Sequence, residues 1–380
     1  MRRLVWFVVI FLLGVNSLAA HGAGPLIEPT GTWGVGRASV EIVDRGRTMP
    51  GSSEPRRLML HIWYPTDTPS SPGANLPYME GLDRARASVT EEELRVLKMT
   101  ETHSTPAAPA VPTSRRFPVL LFSHGEQTNA FLYSNLHEDL ASRGYVVVGV
   151  DHPGAALFVA YSDGSVALYS EDAENLSDRV AERAADLRFV RDRIRTLVVS
   201  GQRLENVASE RVGVIGHSVG GIASALLCQQ PPLADACLNL DGRLNAAPFT
   251  VGVGILAPSR PFMYITKPFR TLSDAELRAE GITREEATST QANTWARDGR
   301  LLSNAGPPSY RVTLHHAEHS SFSDEPLLRD PADANSSKLI TMIRDLVARF
   351  FDTTLADTQR SAVASTSDDD LEVEVLARGQ

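Results

Sequence analysis

Cysteine is almost missing from this 380-residue chain, with Cys228 and Cys237 the only two. They allow a single bridge at most, closing a predicted helix-to-strand loop, or else two small buried apolar side chains; sequence does not give the Cα separation that would decide. Basic charge is also scarce, 37 Lys and Arg against 46 Asp and Glu, for a formal charge of −9. A surface that neutralises phosphates needs the opposite balance, so nucleic acid is not expected as a partner. After the N-terminus no apolar run reaches the ~20 residues of a membrane span, and no internal repeat is present.

The one long apolar run is at the start, where Met1-Arg-Arg precedes Leu4 to Val15 and the small residues Ser17 and Ala19. This order of charged, apolar and small residues predicts an export signal over residues 1–20, cleaved near Ala19 or Ala20, with a periplasmic or extracellular destination. An uncleaved anchor is the alternative, although the run is short for one. Export would place the cysteines in an oxidising compartment. Residues 24–356 are then expected to form one catalytic domain, and 357–380, with Asp368-Asp-Asp370, a disordered acidic tail.

Strands are predicted at Thr32 to Arg47 and Arg56 to Tyr64 as an antiparallel edge, then at Pro118 to Ser123, Tyr145 to Val150, Val212 to Ile215, Ala236 to Leu240, Phe262 to Thr266 and Tyr310 to Leu314. Helical periods fall between them, around Leu132, Leu136 and Leu140, around Val180, Ala184 and Leu187, after Gly221, and over Lys338 to Phe351. This alternation predicts an α/β fold with a mostly parallel sheet covered by helices on both faces, and function at the carboxyl ends of its strands. Residues 79–116 differ. Thr90 to Glu93 reads as a capping box opening a short helix, and the Pro-rich run Thr105 to Pro112 as a stiff, exposed linker, together a candidate lid or insertion.

The chemistry is concentrated at Gly216-His-Ser-Val-Gly220, between a buried strand and a tightly packed helix. A serine hydroxyl becomes a useful nucleophile when a sharp strand-to-helix turn lifts it clear of the backbone within reach of a base. The motif also arises by chance in Gly-rich turns, so its setting carries the reading. On such a fold the acid and the base follow in that order. Asp241 closes the apolar run from Ala236 and is the candidate acid, with Asp274 its rival. His319 opens a polar loop and is preferred as base over His315 and His316, which continue a strand and of which one is expected to pack. The N–H groups of Val219 and of Glu126, after Ser123-His124-Gly125, are the candidate oxyanion donors, with His124 a structural residue.

His315-x-x-Glu318-His319 also has the spacing of an inverted zinc-peptidase motif, but that chemistry needs both histidines on one helix face and no helix signal precedes them. No metal or organic cofactor is required by the serine reading.

Pro118-Val-Leu-Leu-Phe-Ser-His-Gly125, Asp139-Leu-Ala-Ser-Arg-Gly-Tyr145 and Gly216-His-Ser-Val-Gly-Gly221 resemble the plasma-type platelet-activating factor acetylhydrolase family, with cutinase-like and dienelactone-hydrolase-like relatives. The resemblance implies an α/β-hydrolase fold over residues 32–350, an acid at Asp241, a base at His319 in a His-x-x-Phe-x-Asp segment ending at Asp324, and an oxyanion donor at Glu126. It implies a serine ester hydrolase acting on short-acyl or oxidised phospholipids or similar small esters, in transient contact with a lipid surface. A broad carboxylesterase or cutinase-type polyester hydrolase is the alternative. Glu126-Gln127 stand where the family has small or apolar residues, which sets an acid beside the oxyanion side.

Overall fold

The computed structural model describes residues 26–68, 76–111, 116–170, 175–199, 201–204, 208–229, 233–244, 257–356, 363, 366 and 368–377. The predicted export signal lies outside them. Ten strands form one sheet: β1 (Gly34–Thr48), β2 (Pro55–Thr66), β3 (Ser104–Pro106), β4 (Phe117–Ser123), β5 (Val146–Asp151), β6 (Ala208–His217), β7 (Ala236–Leu240), β8 (Pro261–Thr266), β9 (Gly306–Leu314) and β10 (Leu371–Ala377). Their order is β10-β9-β8-β7-β6-β4-β5-β2-β1-β3. The six from β5 to β9 in that order run parallel; β2 pairs antiparallel with β5 and with β1, and β10 antiparallel with β9.

The parallel strands read as unbroken apolar runs because both faces are covered. Leu120, Phe122, Ile215, Leu238, Leu240, Met263 and Ile265 pack on one side with α2 (Ser134–Ser142) and α6 (Ala334–Thr354). Val119, Leu121, Val148, Val214, Cys237 and Phe262 pack on the other with α3 (Leu176–Arg193) and α4 (Val219–Cys228). Cys228, the last residue of α4, is bridged to Cys237 in β7. No helix among the described residues is long and apolar enough to cross a membrane.

Two expectations are corrected. The tail is not disordered throughout: Leu371, Val373 and Val375 alternate with Glu372 and Glu374, a half-buried strand pattern, and add β10 to the sheet edge, where Glu374 receives two bonds from Arg311 at 2.7 Å each. The Pro-rich run is not an exposed linker either, since Ala108, Ala110 and Val111 are buried. Tyr64 Oη and Thr66 Oγ1 donate to the carbonyls of Ala108 and Pro109, both at 2.7 Å, which turns the run down against β2. Thr90 and Glu93 do form a capping box ahead of α1 (Glu91–Met99), whose Leu94, Val96 and Leu97 join the core.

Candidate active site

Three loops meet at the carboxyl ends of β6, β7 and β9. Ser218 lies between β6 and α4 with φ 55° and ψ −123°, a strained conformation for a residue with a side chain. The turn is possible because its glycines have no Cβ: one on Gly216 would lie 2.3 Å from the Gly220 carbonyl oxygen, and one on Gly220 would lie 2.1 Å from that of Ser123. The second contact brings the start of α4 against the loop after β4.

Asp241 follows β7, also with positive φ (48°), its N–H bonded to the Ile265 carbonyl at 2.8 Å. His319 begins a 3-10 turn after β9 that is closed by Ser321, whose Oγ accepts the Glu318 N–H at 3.0 Å. His319 Nδ1 is 2.6 Å from Asp241 Oδ2 and its Nε2 is 3.0 Å from Ser218 Oγ. A carboxylate can only accept, so Nδ1 carries the proton and Nε2 is left to take the serine hydroxyl hydrogen. The other Asp241 oxygen accepts from Thr266 Oγ1 at 2.8 Å.

The rivals are placed elsewhere. Asp274 opens the exposed helix α5 (Asp274–Glu280) and pairs with Arg284. His315 and His316 are both exposed, contrary to the expectation that one packs, because the chain leaves β9 at Leu314 and turns there. Residues 315–319 form a turn leading into the 3-10 segment rather than an α-helix, so the two histidines of the zinc spacing do not share a helix face.

The N–H groups of Glu126 and Val219 have no acceptor among the described residues, at two loops that the Gly220 contact brings together. The Glu126 carboxylate is drawn off by Arg179 and by Arg183, the latter at 2.8 Å, so it does not crowd the oxyanion side. His124 is structural: Nδ1 donates to the Gly125 carbonyl at 2.6 Å and Nε2 accepts the His152 N–H at 3.1 Å. Burial, with Arg183 and His152 nearby, pushes its pKa well down and keeps it neutral.

Sequence reasoning missed two groups. Tyr133 Oη accepts the Gly125 N–H at 3.1 Å and bonds His217 Nδ1 at 2.8 Å, and the His217 ring lies 4.5 Å from that of His319 and stacks on Phe322. Burial first and His319 second push the His217 pKa well down, so a neutral ring lies beside His319. Second, Ser123 Oγ, His152 and Asp186 form a chain of two 2.9 Å contacts resembling that of Ser218, His319 and Asp241 but wholly buried, with Asp186 held by Arg56 through two bonds of 2.7 Å. No substrate reaches it. The residue before the serine of the elbow motif was the available signal for His217; nothing in spacing marked His152.

The doubly wound sheet, its strand order and the strand-elbow-helix turn define an α/β-hydrolase. Residues 28–197 match the family described as platelet-activating factor acetylhydrolase, isoform II. A protein of Arthroderma benhamiae named as a probable 1-alkyl-2-acetylglycerophosphocholine esterase is 26% identical over 284 residues, 68% of this chain and 70% of the relative. The solved structure of a ferulic acid esterase from Streptomyces cinnamoneus superposes with a TM-score of 0.72 at 25% identity, covering 93% of this chain and 99% of that one. Over residues 28–197 the chain is similar to the platelet-activating factor acetylhydrolase isoform II family, and its fold is that of a solved carboxylic ester hydrolase.

Proposed function

We propose that the chain is an exported serine esterase working through an acyl-enzyme, with Ser218 as nucleophile, His319 as general base and Asp241 as the group that orients it. The observation that carries this reading is the engagement of both His319 nitrogens, Nδ1 by Asp241 at 2.6 Å and Nε2 by Ser218 Oγ at 3.0 Å. Ser218 Oγ attacks the ester carbonyl as Nε2 takes its proton, and the N–H groups of Val219 and Glu126 receive the developing oxyanion. Nε2 then returns the proton to the departing alcohol oxygen. A water, deprotonated by the same nitrogen, releases the acid from Ser218.

The proposed substrates are short-acyl or oxidised phospholipids, or similar small esters, met transiently at a lipid surface; the family match over residues 28–197 and the name of the fungal relative support this. The ferulic acid esterase likeness favours a second reading, a broad carboxylesterase that accepts aromatic acyl groups. Export is supported by the residue order at the N-terminus and by the Cys228–Cys237 bridge, which suits an oxidising compartment.

The test is a burst-phase assay with p-nitrophenyl acetate, longer p-nitrophenyl esters, methyl ferulate and a 2-acetyl phospholipid. Ser218→Ala is expected to abolish both burst and turnover while a chelator leaves wild type unchanged. Turnover that survives Ser218→Ala would sink the assignment, and the ranking of the esters decides between the two substrate classes.

A further inference from the structure

We propose that Arg183 and the carboxylate of Glu126 form a clamp that aims the Glu126 N–H at the oxyanion, making both side chains positioning residues for ester hydrolysis. This rests on the oxyanion assignment above and adds what holds the donor in place. An oxyanion donor is useful only if it already points where charge will develop, because reorienting it during the reaction forfeits most of its effect. Glu126 lies in a short loop between β4 and α2, next to Gln127, whose φ of 56° is unfavourable for a side-chain-bearing residue. Something outside the loop must hold that geometry.

The holding contacts converge on the peptide joining Gly125 to Glu126. Its carbonyl oxygen accepts from His124 Nδ1 at 2.6 Å and from Thr128 Oγ1 at 3.0 Å. In a trans peptide the C=O and N–H point to opposite sides, so fixing the oxygen fixes the direction of the N–H. Arg183 then grips the residues on either side with one planar guanidinium: one terminal nitrogen donates to the His124 carbonyl at 2.6 Å, the other to Glu126 Oε2 at 2.8 Å. Two simultaneous donors in a fixed fork are what Arg offers and Lys does not. Arg183 is 1% exposed, so its charge needs a partner at hand, and Glu126 supplies it from the loop itself. Arg179, one turn earlier on α3, takes the other carboxylate oxygen. Asp186, on the same face of α3, is fixed by Arg56 and His152, and His152 in turn donates its backbone N–H to His124. The buried Ser123–His152–Asp186 chain thereby becomes the footing of the clamp.

The experiment compares Glu126→Gln and Arg183→Lys with wild type in the full chain, measuring kcat and KM for p-nitrophenyl acetate and the Kd of an alkyl trifluoromethyl ketone, whose Ser218 adduct carries the oxyanion. Glu126→Gln keeps the backbone donor and the side-chain size but loses the ion pair; Arg183→Lys keeps the charge but loses the fork. Complete loss of an oxyanion donor slows catalysis by ~100-fold or more, so a misaimed one is expected to lower kcat by about tenfold. KM should stay within twofold, and ketone binding should weaken by the same factor as kcat. The double variant should be no worse than the poorer single one, since either change opens the same clamp. Should Arg183→Lys fail to fold, the partly exposed Glu126→Gln decides alone. Unchanged kcat and ketone affinity in Glu126→Gln overturns the clamp, as does a loss confined to KM or to thermal stability. Ser218→Ala assayed alongside separates the two failures: if it stays active the triad assignment falls, and if it is dead while Glu126→Gln is normal only the clamp falls.

Discussion

Asp241 shows how much a single carboxylate is asked to do. One oxygen holds the His319 Nδ1–H at 2.6 Å, the other accepts from Thr266 Oγ1, and its backbone adopts positive φ to reach both. The residue must accept on both sides, so an amide in its place offers an N–H to a ring nitrogen that already carries a proton. The imidazole then turns to its other tautomer, with Nε2 protonated and unable to act as base. Asp241→Asn is therefore expected to lower kcat by ~10³–10⁴-fold with little change in KM at neutral pH; steady-state rates on p-nitrophenyl acetate check it, and a loss under tenfold would assign the acid elsewhere. The meeting of Asp241 and His319 was legible in the sequence because each closes or follows an apolar strand. Thr266 and Tyr133 were not, since nothing local reveals that one faces Asp241 across neighbouring strands or that the other supports Gly125 and His217 together.

At the level of elements, strands buried on both faces announced themselves as apolar runs, and those from Ala236 to Leu240 match β7 at both ends. The edges were harder to read. β3 has only three residues, Ser104–Pro106, inside a stretch whose prolines suggest an exposed linker, and it exists because β1 offers it a partner. β10 carries a period-two pattern that was available to be read, yet which strand it joins depends on the fold bringing β9 to that edge. The Cys228–Cys237 bridge belongs to this scale too, because it ties the end of α4 to β7, the strand that delivers Asp241. Closing a loop with a separation of nine residues removes unfolded-chain entropy of about 2–3 kcal/mol. The variant Cys228→Ala/Cys237→Ala is expected to unfold at lower urea with a stability lower by about that amount, and wild type with reductant should follow it. Equal midpoints for the oxidised and reduced protein would show that the bridge adds nothing.

Across the whole molecule, two sets of buried titratable groups give stability opposite dependences on pH. His124, His137, His152 and His217 are all held neutral by burial, His137 down to about 3, with its ring among Trp63, Phe122 and Tyr133. A histidine whose folded pKa is depressed contributes stability that is present above its unfolded value near 6.5 and is lost as pH falls towards the folded one, since the unfolded chain takes up the proton. Asp324 is the reverse case. It ties the loop of His319 to α2 and to the segment of Tyr78 by accepting from Tyr78 Oη at 2.9 Å and Asn135 Nδ2 at 3.2 Å, and burial pushes its pKa up to about 7. Its contribution is complete below the unfolded value of 3.8 and is lost as pH rises through 7. Each set masks the other in wild type, so single replacements expose them. His137→Phe keeps an aromatic ring and should gain stability relative to wild type as pH drops from 6.5 towards 4, by up to ~1.4 kcal/mol per pH unit. Asp324→Asn should gain relative to wild type over the opposite course, as pH rises from 4 to 7. Urea unfolding of the three proteins at pH 4.5, 6 and 7.5 measures both differences. Parallel curves for His137→Phe and wild type would mean that the ring is protonated in the fold, and parallel curves for Asp324→Asn that its carboxylate is ionised throughout.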